Sequence, residues 1–187
     1  NFWQRIWFMA LQVFAQRRTL DEKFAGLMHF SIFWGMLVLA IGTAFATIDW
    51  DVTHLFFGFQ ILTGWFYIVF ELMLDVLGLL SVLGLGMAIQ RRYGTRPERL
   101  ANFPVKKLAG DDLYVLVMLS FIVLSGYLTE GLRLAVTQPD WAVWSPIGNA
   151  IAALFLSMGD PTNQTLHLVV WSLHILTAFG ALLSIPF

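Results

Sequence analysis

The chain has 187 residues, of which 58% are hydrophobic and 12% are charged, and its formal net charge is −1. Ordinary soluble domains carry about 25% charged residues, so this composition excludes a soluble or nucleic-acid-binding protein and predicts an all-α bundle in a lipid bilayer. The sequence contains no cysteine, which excludes disulfides, thiolate metal sites and iron–sulfur ligation within these residues.

Residues 1–23 are predicted to be an amphipathic or cytoplasmic lead-in to a membrane domain formed by residues 24–187. Apolar side chains of residues 1–16 share one broad face, which fits either a surface helix or the tail of an earlier span. The chain begins at Asn1 without an initiator methionine and ends at Phe187 within an apolar run. We therefore expect it to be part of a longer polypeptide, so that some ligands could lie beyond it.

Four segments are apolar and long enough to cross the bilayer, which takes roughly 20 helical residues. They cover residues 24–48, 65–90, 113–136 and 162–187. Residues 54–64 are also apolar, but joining them to the second span would make one helix too long for a bilayer, so we predict a lead-in on the outer surface. Residues 146–158 are too short to span, and they are predicted to form an outer interfacial helix that begins after Ser145.

Basic residues predict the orientation of the spans. They precede the first span and fill the loop between the second and third, at Arg17, Arg18, Lys23, Arg91, Arg92, Arg96, Arg99, Lys106 and Lys107. The opposite loops carry Asp49, Asp51, Asp140 and Asp160. The positive-inside rule therefore places the basic loops on the cytoplasmic side of the cell's inner membrane. Glycines 78, 84 and 86 are predicted to serve close helix packing.

All four histidines lie in or beside apolar segments, where ionisable groups are costly and are functional candidates by default. His29 lies about two turns into the first span, His167 and His174 share a face of the fourth, and His54 precedes the second. Neutral imidazoles on facing helices are a common way to hold a b-type haem. The alternative is that each histidine only hydrogen-bonds a neighbouring helix.

His167 and His174 lie about 10.5 Å apart in depth, because each helical residue rises ~1.5 Å. Two haems bound at these positions would collide, so at most one is a haem ligand, and the other could bond a propionate or a quinone. His174 lies nearer the middle of the membrane and nearer in depth to His29. His174 is therefore the preferred ligand.

Acidic and basic side chains form a second candidate site. Glu71 and Asp75 lie four residues apart on the outer half of the second span and so share a face. Glu130 and Arg133 close the third span on the same side. These four residues could line a pocket that binds a quinone headgroup and moves its protons. The alternative is an interhelical ion pair between Arg133 and Glu130 or Glu71.

Several motifs resemble a known family. Residues 29–43, HFSIFWGMLVLAIGT, resemble the second helix of nitrate reductase gamma-type membrane cytochromes. A closer resemblance is to the membrane domains of heterodisulfide reductase-related iron–sulfur oxidoreductases. It is carried by FYIVFELMLDVLGL at 66–79, RRY at 91–93, TEGLR at 129–133, WSPIGN at 144–149, LHLVVWSLH at 166–174 and IP at 185–186.

This resemblance implies five spans, with the first absent from this chain, and a haem b between the second and the last. It also implies exchange with menaquinone or ubiquinone, and a cytoplasmic iron–sulfur protein or fused iron–sulfur domain as partner. Carried over, His29 is one haem ligand, and His174 or a residue beyond Phe187 is the other. Two-haem members have a further histidine about three turns after the position of His29, where this sequence reads LAI, so one haem is expected.

The sequence thus predicts a membrane haem b subunit that transfers electrons between a quinone and an iron–sulfur partner. The alternative is a transporter, or a haem-free membrane anchor, with its histidines in a proton path. Broken helices and an internal repeat would favour a transporter, and the sequence shows neither clearly.

Overall fold

The computed structural model describes residues 1–14, 16, 19–95 and 105–184, without the side chains of residues 105–109 and 111. Every regular element in these ranges is a helix. The main helices are α1 (Phe2–Val13), α2 (Lys23–Thr47), α3 (Gly64–Ile89), α4 (Val105–Thr137), α5 (Pro146–Ala153) and α6 (Asp160–Ser184). Some predicted features lie outside the described residues. They are the basic positions 17, 18, 96 and 99, the side chains of Lys106 and Lys107, and the IP motif at 185–186.

Four helical stretches are long and apolar enough to cross a membrane, which confirms the four predicted spans by length and composition. They cover Lys23–Phe57, Gly64–Thr95, Asp112–Thr137 and Asp160–Ser184. α1 also forms, with no residue buried and with Trp3 and Trp7 exposed. α1 therefore fits both predicted alternatives, a surface helix and the tail of an earlier span.

The first span continues further than predicted. After α2 the chain passes through a π-helical segment, Ile48–His54, and one more turn, Leu55–Phe57. Gly58 ends this extension in the left-handed conformation, with φ of 71°, which glycine adopts without steric cost. The prediction of a lead-in to the second span was therefore wrong for residues 54–57, because His54 belongs to the helix of the first span.

Asp49 holds the loop that returns from this extension to α3. Its carboxylate is buried and accepts hydrogen bonds from the backbone N–H groups of Ile61 and Leu62, the latter at 3.1 Å. Thr53 also directs its hydroxyl to Asp49. A buried carboxylate is tolerated where such donors satisfy it.

The spans pack in chain order, α2 on α3, α3 on α4 and α4 on α6. Small residues allow the close approach of α2 and α3, since a Cβ added to Gly84 would lie 2.9 Å from the backbone nitrogen of Ile32. Gly78 faces Tyr127 of α4 in a similar way. A Cβ added to Gly86 would meet no other part of the described chain within 4 Å. The prediction of close packing is therefore confirmed for Gly78 and Gly84, and for Gly86 it is wrong within the described residues.

The two ends of the bundle differ in charge. At the basic end, Arg91 forms an ion pair with Glu22 at 2.9 Å, and Tyr114 donates a hydrogen bond to Ser184 at 2.8 Å. Asp49, Asp140 and Asp160 lie at the opposite, acidic end. α2 and α6 occupy the two ends of the packing order, and no residue in the apolar window of α6 is buried within the described chain. Each of these two helices therefore has a face that no other span covers within the described residues.

Candidate functional site: two anchored imidazoles and a partly buried ion cluster

His29 projects from α2 and is anchored by a residue from the preceding loop. Its Nδ1 lies 3.0 Å from Oε1 of Gln16, and its ring stacks beside Phe33. With the amide oxygen of Gln16 facing the ring, the contact favours the tautomer in which Nδ1 carries the hydrogen and Nε2 keeps its lone pair. The His29 side chain is exposed, and its Nε2 has no hydrogen-bond partner among the described residues.

His174 projects from α6 and is anchored to α4. Its Nδ1 lies 2.9 Å from the hydroxyl of Ser125, which donates its own hydrogen to the carbonyl of Ile122 at 3.2 Å. When the hydroxyl donates to Ile122 it accepts from Nδ1–H, so this arrangement favours the tautomer in which Nε2 of His174 keeps its lone pair. Gly126 gives the ring room, because a Cβ there would lie 3.3 Å from Cε1 of His174.

The other two histidines are held differently. His167 is partly buried, and its ring makes no hydrogen bond within the described residues. His54 is exposed and stacks on Trp50, with ring centroids 4.7 Å apart. Among the described residues, only His29 and His174 of the four predicted histidines have an Nδ1 within hydrogen-bond distance of a side-chain oxygen.

Counted along their helices, His29 and His174 lie nearer in level to each other than His29 and His167 do. His29 is six residues from the start of α2, or about 9 Å from the basic end, and His174 is ten residues before the end of α6, or about 15 Å from it. His167 lies about 10 Å further toward the acidic end.

A partly buried ion cluster joins α3 and α4 near the acidic end. Arg133 donates to both carboxylate oxygens of Glu130, at 2.9 and 2.8 Å, and to Glu71 at 3.0 Å. It also donates to the hydroxyl of Tyr67 at 3.0 Å, and its guanidinium carbon lies 5.3 Å from the ring of Trp141. Arg133, Glu130, Glu71 and Tyr67 are called the Arg133 cluster below. The predicted interhelical ion pair is present, with both carboxylates sharing one cation.

Asp75 faces the same side of α3 but has a different partner. Its carboxylate accepts from the Ser145 hydroxyl at 3.1 Å and from the N–H groups of Ile147 and Gly148 at 2.9 and 3.0 Å. These amides open α5, so Asp75 caps that helix from another span. The sequence predicted that this helix begins after Ser145, but it could not reveal Asp75 as the capping residue, because Asp75 lies 70 positions earlier in the chain.

An apolar groove of about 400 Å³ lies between α3, α4 and α5. Leu79, Tyr127, Ile147 and Phe155 contribute to its lining. The groove therefore reaches the capped end of α5, where the N–H of Ile147 donates to Asp75. No cluster of three or more His, Asp or Glu side chains suited to a metal ion occurs in the part of the chain that the structure describes.

Comparison with known proteins finds no matching family and no matching solved structure. The chain is 33% identical to "EtfAB:quinone oxidoreductase" of Syntrophomonas wolfei, over 98% of this chain and 26% of that protein. It is 24% identical to "Probable iron-sulfur-binding oxidoreductase FadF" of Bacillus subtilis, over the whole chain and 25% of that protein. The chain is similar to a segment of named oxidoreductases.

The chain spans about a quarter of the length of each of these two curated relatives. Their names agree with the resemblance to iron–sulfur oxidoreductases and with quinone-linked electron transfer. The nitrate reductase gamma-type resemblance, haem b and cytochrome b remain predictions.

Proposed function

We propose that the chain is the membrane part of an oxidoreductase and passes electrons between a membrane quinone and an iron–sulfur partner through one haem b. The names of both relatives support oxidoreductase chemistry, one with quinone and the other with iron–sulfur binding. This chain has no cysteine, so the clusters belong to a separate protein or a fused domain. Menaquinone or ubiquinone is the exchangeable substrate.

The observation that carries the proposal is the matched anchoring of His29 and His174. Metal-bound histidines usually donate their second ring nitrogen to an acceptor, which fixes the tautomer. In both imidazoles Nδ1 lies beside a side-chain oxygen, which suits axial ligation through Nε2. A haem bound by these two residues would supply one-electron transfer.

The first experiment is a pyridine haemochrome assay on the purified protein. We expect b-type haem in the wild type and its loss in His29→Ala and His174→Ala. His167→Ala and His54→Ala are matched controls that should retain it. A folded wild-type preparation without haem would contradict the proposal and favour a haem-free anchor. Retention of haem in His174→Ala alone would move the second ligand beyond Phe187.

The Arg133 cluster is the proposed place of proton exchange with quinone. Quinone reduction consumes protons as well as electrons, and two carboxylates that share one guanidinium can take up one proton between them. Buried charges of this kind are costly in a membrane unless they are paired or functional. The adjoining apolar groove has the chemistry to hold an isoprenoid chain. The carboxylate of Asp75 accepts hydrogen bonds from Ser145 and the first amides of α5. These contacts give no support to its predicted role in moving quinone protons.

Quinol-driven haem reduction tests this assignment. Glu71→Gln and Glu130→Gln should slow reduction while haem content stays intact. Asp140→Asn is the control, because Asp140 is an exposed carboxylate at the same end of the bundle. Unchanged rates in both cluster variants would leave these residues as a structural ion pair. We propose further that the basic end faces the cytoplasm, that α5 lies at the interface and that the full protein has a fifth span.

A further inference from the structure

Gln16 lies in the loop before α2, yet it is buried and contacts His29 of that helix. Its side chain is 3% exposed, and its backbone adopts the left-handed conformation, with φ of 48°. Its carbonyl accepts hydrogen bonds from the N–H groups of Thr19 and Leu20 at 2.9 and 3.1 Å. A non-glycine residue in this conformation persists only where its surroundings enforce it.

The loop is fixed to α2 on both sides of Gln16. On one side, the indole nitrogen of Trp34 donates to the carbonyl of Phe14 at 3.1 Å, and the two rings are in contact. On the other side, Leu20 presses on Gly26, where a Cβ would lie 2.6 Å from its Cα. The side-chain oxygen of Gln16, Oε1, pairs with Nδ1 of His29 on α2. The side-chain nitrogen of Gln16, Nε2, has no acceptor among the described residues.

Ser125 plays the equivalent part for His174. It is 7% exposed on α4, and its hydroxyl lies between the carbonyl of Ile122 and the imidazole. The two anchors thus come from different elements, a loop and a neighbouring span, yet they act on the same ring atom.

We propose that Gln16 and Ser125 are positioning residues that fix the Nδ1–H tautomers of His29 and His174 and so set the donor strength of both Nε2 atoms. The inference rests on the proposed haem function. An acceptor on Nδ1–H makes an imidazole a stronger ligand, and loss of such a partner typically costs about 10–100-fold in metal affinity. Because a stronger donor favours the ferric state, removing either acceptor raises the midpoint potential of the haem.

The variants separate this role from simple packing. Gln16→Met keeps the length of the side chain and removes the acceptor, and Ser125→Ala removes the hydroxyl. Gln16→Glu replaces the amide with a stronger acceptor and should shift the potential in the opposite direction. Gln12→Met on α1 and Ser172→Ala on α6 are matched controls, since the Ser172 hydroxyl bonds only within its own helix, to Leu168.

The experiment is a potentiometric titration of the purified full chain, with haem content measured on the same samples. We expect a higher potential, or a roughly tenfold or greater loss of haem affinity, in Gln16→Met and Ser125→Ala. A tenfold difference between the affinities of the two oxidation states corresponds to about 59 mV. We expect a lower potential in Gln16→Glu and no change in the controls. Full occupancy with unchanged potentials in both acceptor-free variants would overturn the inference.

A second measurement does not depend on haem. In haem-free protein labelled with ¹⁵N-histidine, the imidazole ¹⁵N shifts should report Nδ1–H tautomers at His29 and His174, and a mixture at His29 in Gln16→Met. Nε2–H tautomers at both sites in the wild type would refute the role of the anchors. Wild-type protein that lacks haem but shows Nδ1–H tautomers would contradict the proposed function and leave the anchoring intact.

Discussion

Replacing Asp75 should release α5 from the bundle. In the native protein this carboxylate satisfies the Ser145 hydroxyl and the N–H groups of Ile147 and Gly148. Asp75→Ala leaves all three donors without an acceptor at a site where Asp75 is only 5% exposed. Asp75→Asn keeps Oδ1 as the acceptor for Ser145 and Gly148. In place of Oδ2 it puts an amide NH₂, which cannot accept a hydrogen bond from the N–H of Ile147.

The two variants should differ in size of effect. A hydrogen bond to a charged group is worth about 1.5–3 kcal/mol, and such bonds at one site are not additive. We therefore expect Asp75→Ala to destabilise the docked α5 by about 3–5 kcal/mol. This range reflects the three lost hydrogen bonds and the lost helix cap, which alone is worth about 0.5–2 kcal/mol. Asp75→Asn, which loses one bond and the negative charge, should cost about 1–2 kcal/mol.

Amide hydrogen exchange at residues 147–153 measures this loss locally. Since 1.4 kcal/mol is tenfold in an equilibrium constant, Asp75→Ala should speed exchange there by about 100-fold or more and Asp75→Asn by about tenfold. Asp140→Asn, which changes an exposed carboxylate near α5, should leave exchange unchanged. Wild-type exchange rates in Asp75→Ala would refute the claim that this residue holds α5.

Three further outcomes are expected from the packing. Gly84→Ala should lower thermal stability by about 1–3 kcal/mol through overpacking against α2, whereas Gly86→Ala, two residues away in open space, should be neutral or stabilising. Arg133→Gln should lower thermal stability by about 1–3 kcal/mol, because the buried carboxylate of Glu71 and the partly buried one of Glu130 lose their cation. Tyr67→Phe should cost about 1–3 kcal/mol, because it removes one hydrogen bond to Arg133. Thermal unfolding of each purified variant checks these values, and equal stability of the two glycine variants would contradict the first.

The sequence by itself was sufficient to predict four spans and their approximate bounds. Hydropathy is summed along the chain, and about 20 apolar residues must cross the bilayer whatever their neighbours are. It also singled out His29, His174 and the charged residues, because ionisable groups in apolar segments stand out without any structure. The end of the first span was missed, since the turn at Gly58 is set by contacts of Asp49 with residues 12 and 13 positions later.

Only the tertiary structure decided what these residues do to one another. Glu71 and Asp75 look equivalent in sequence, but one joins Arg133 and the other caps α5. Gly84 and Gly86 likewise differ only in what lies opposite them. Gln16 was unremarkable in sequence until its loop folded onto His29. Hydrogen bonds and close packing act over a few ångströms between residues far apart in the chain, so local sequence patterns carry no record of them.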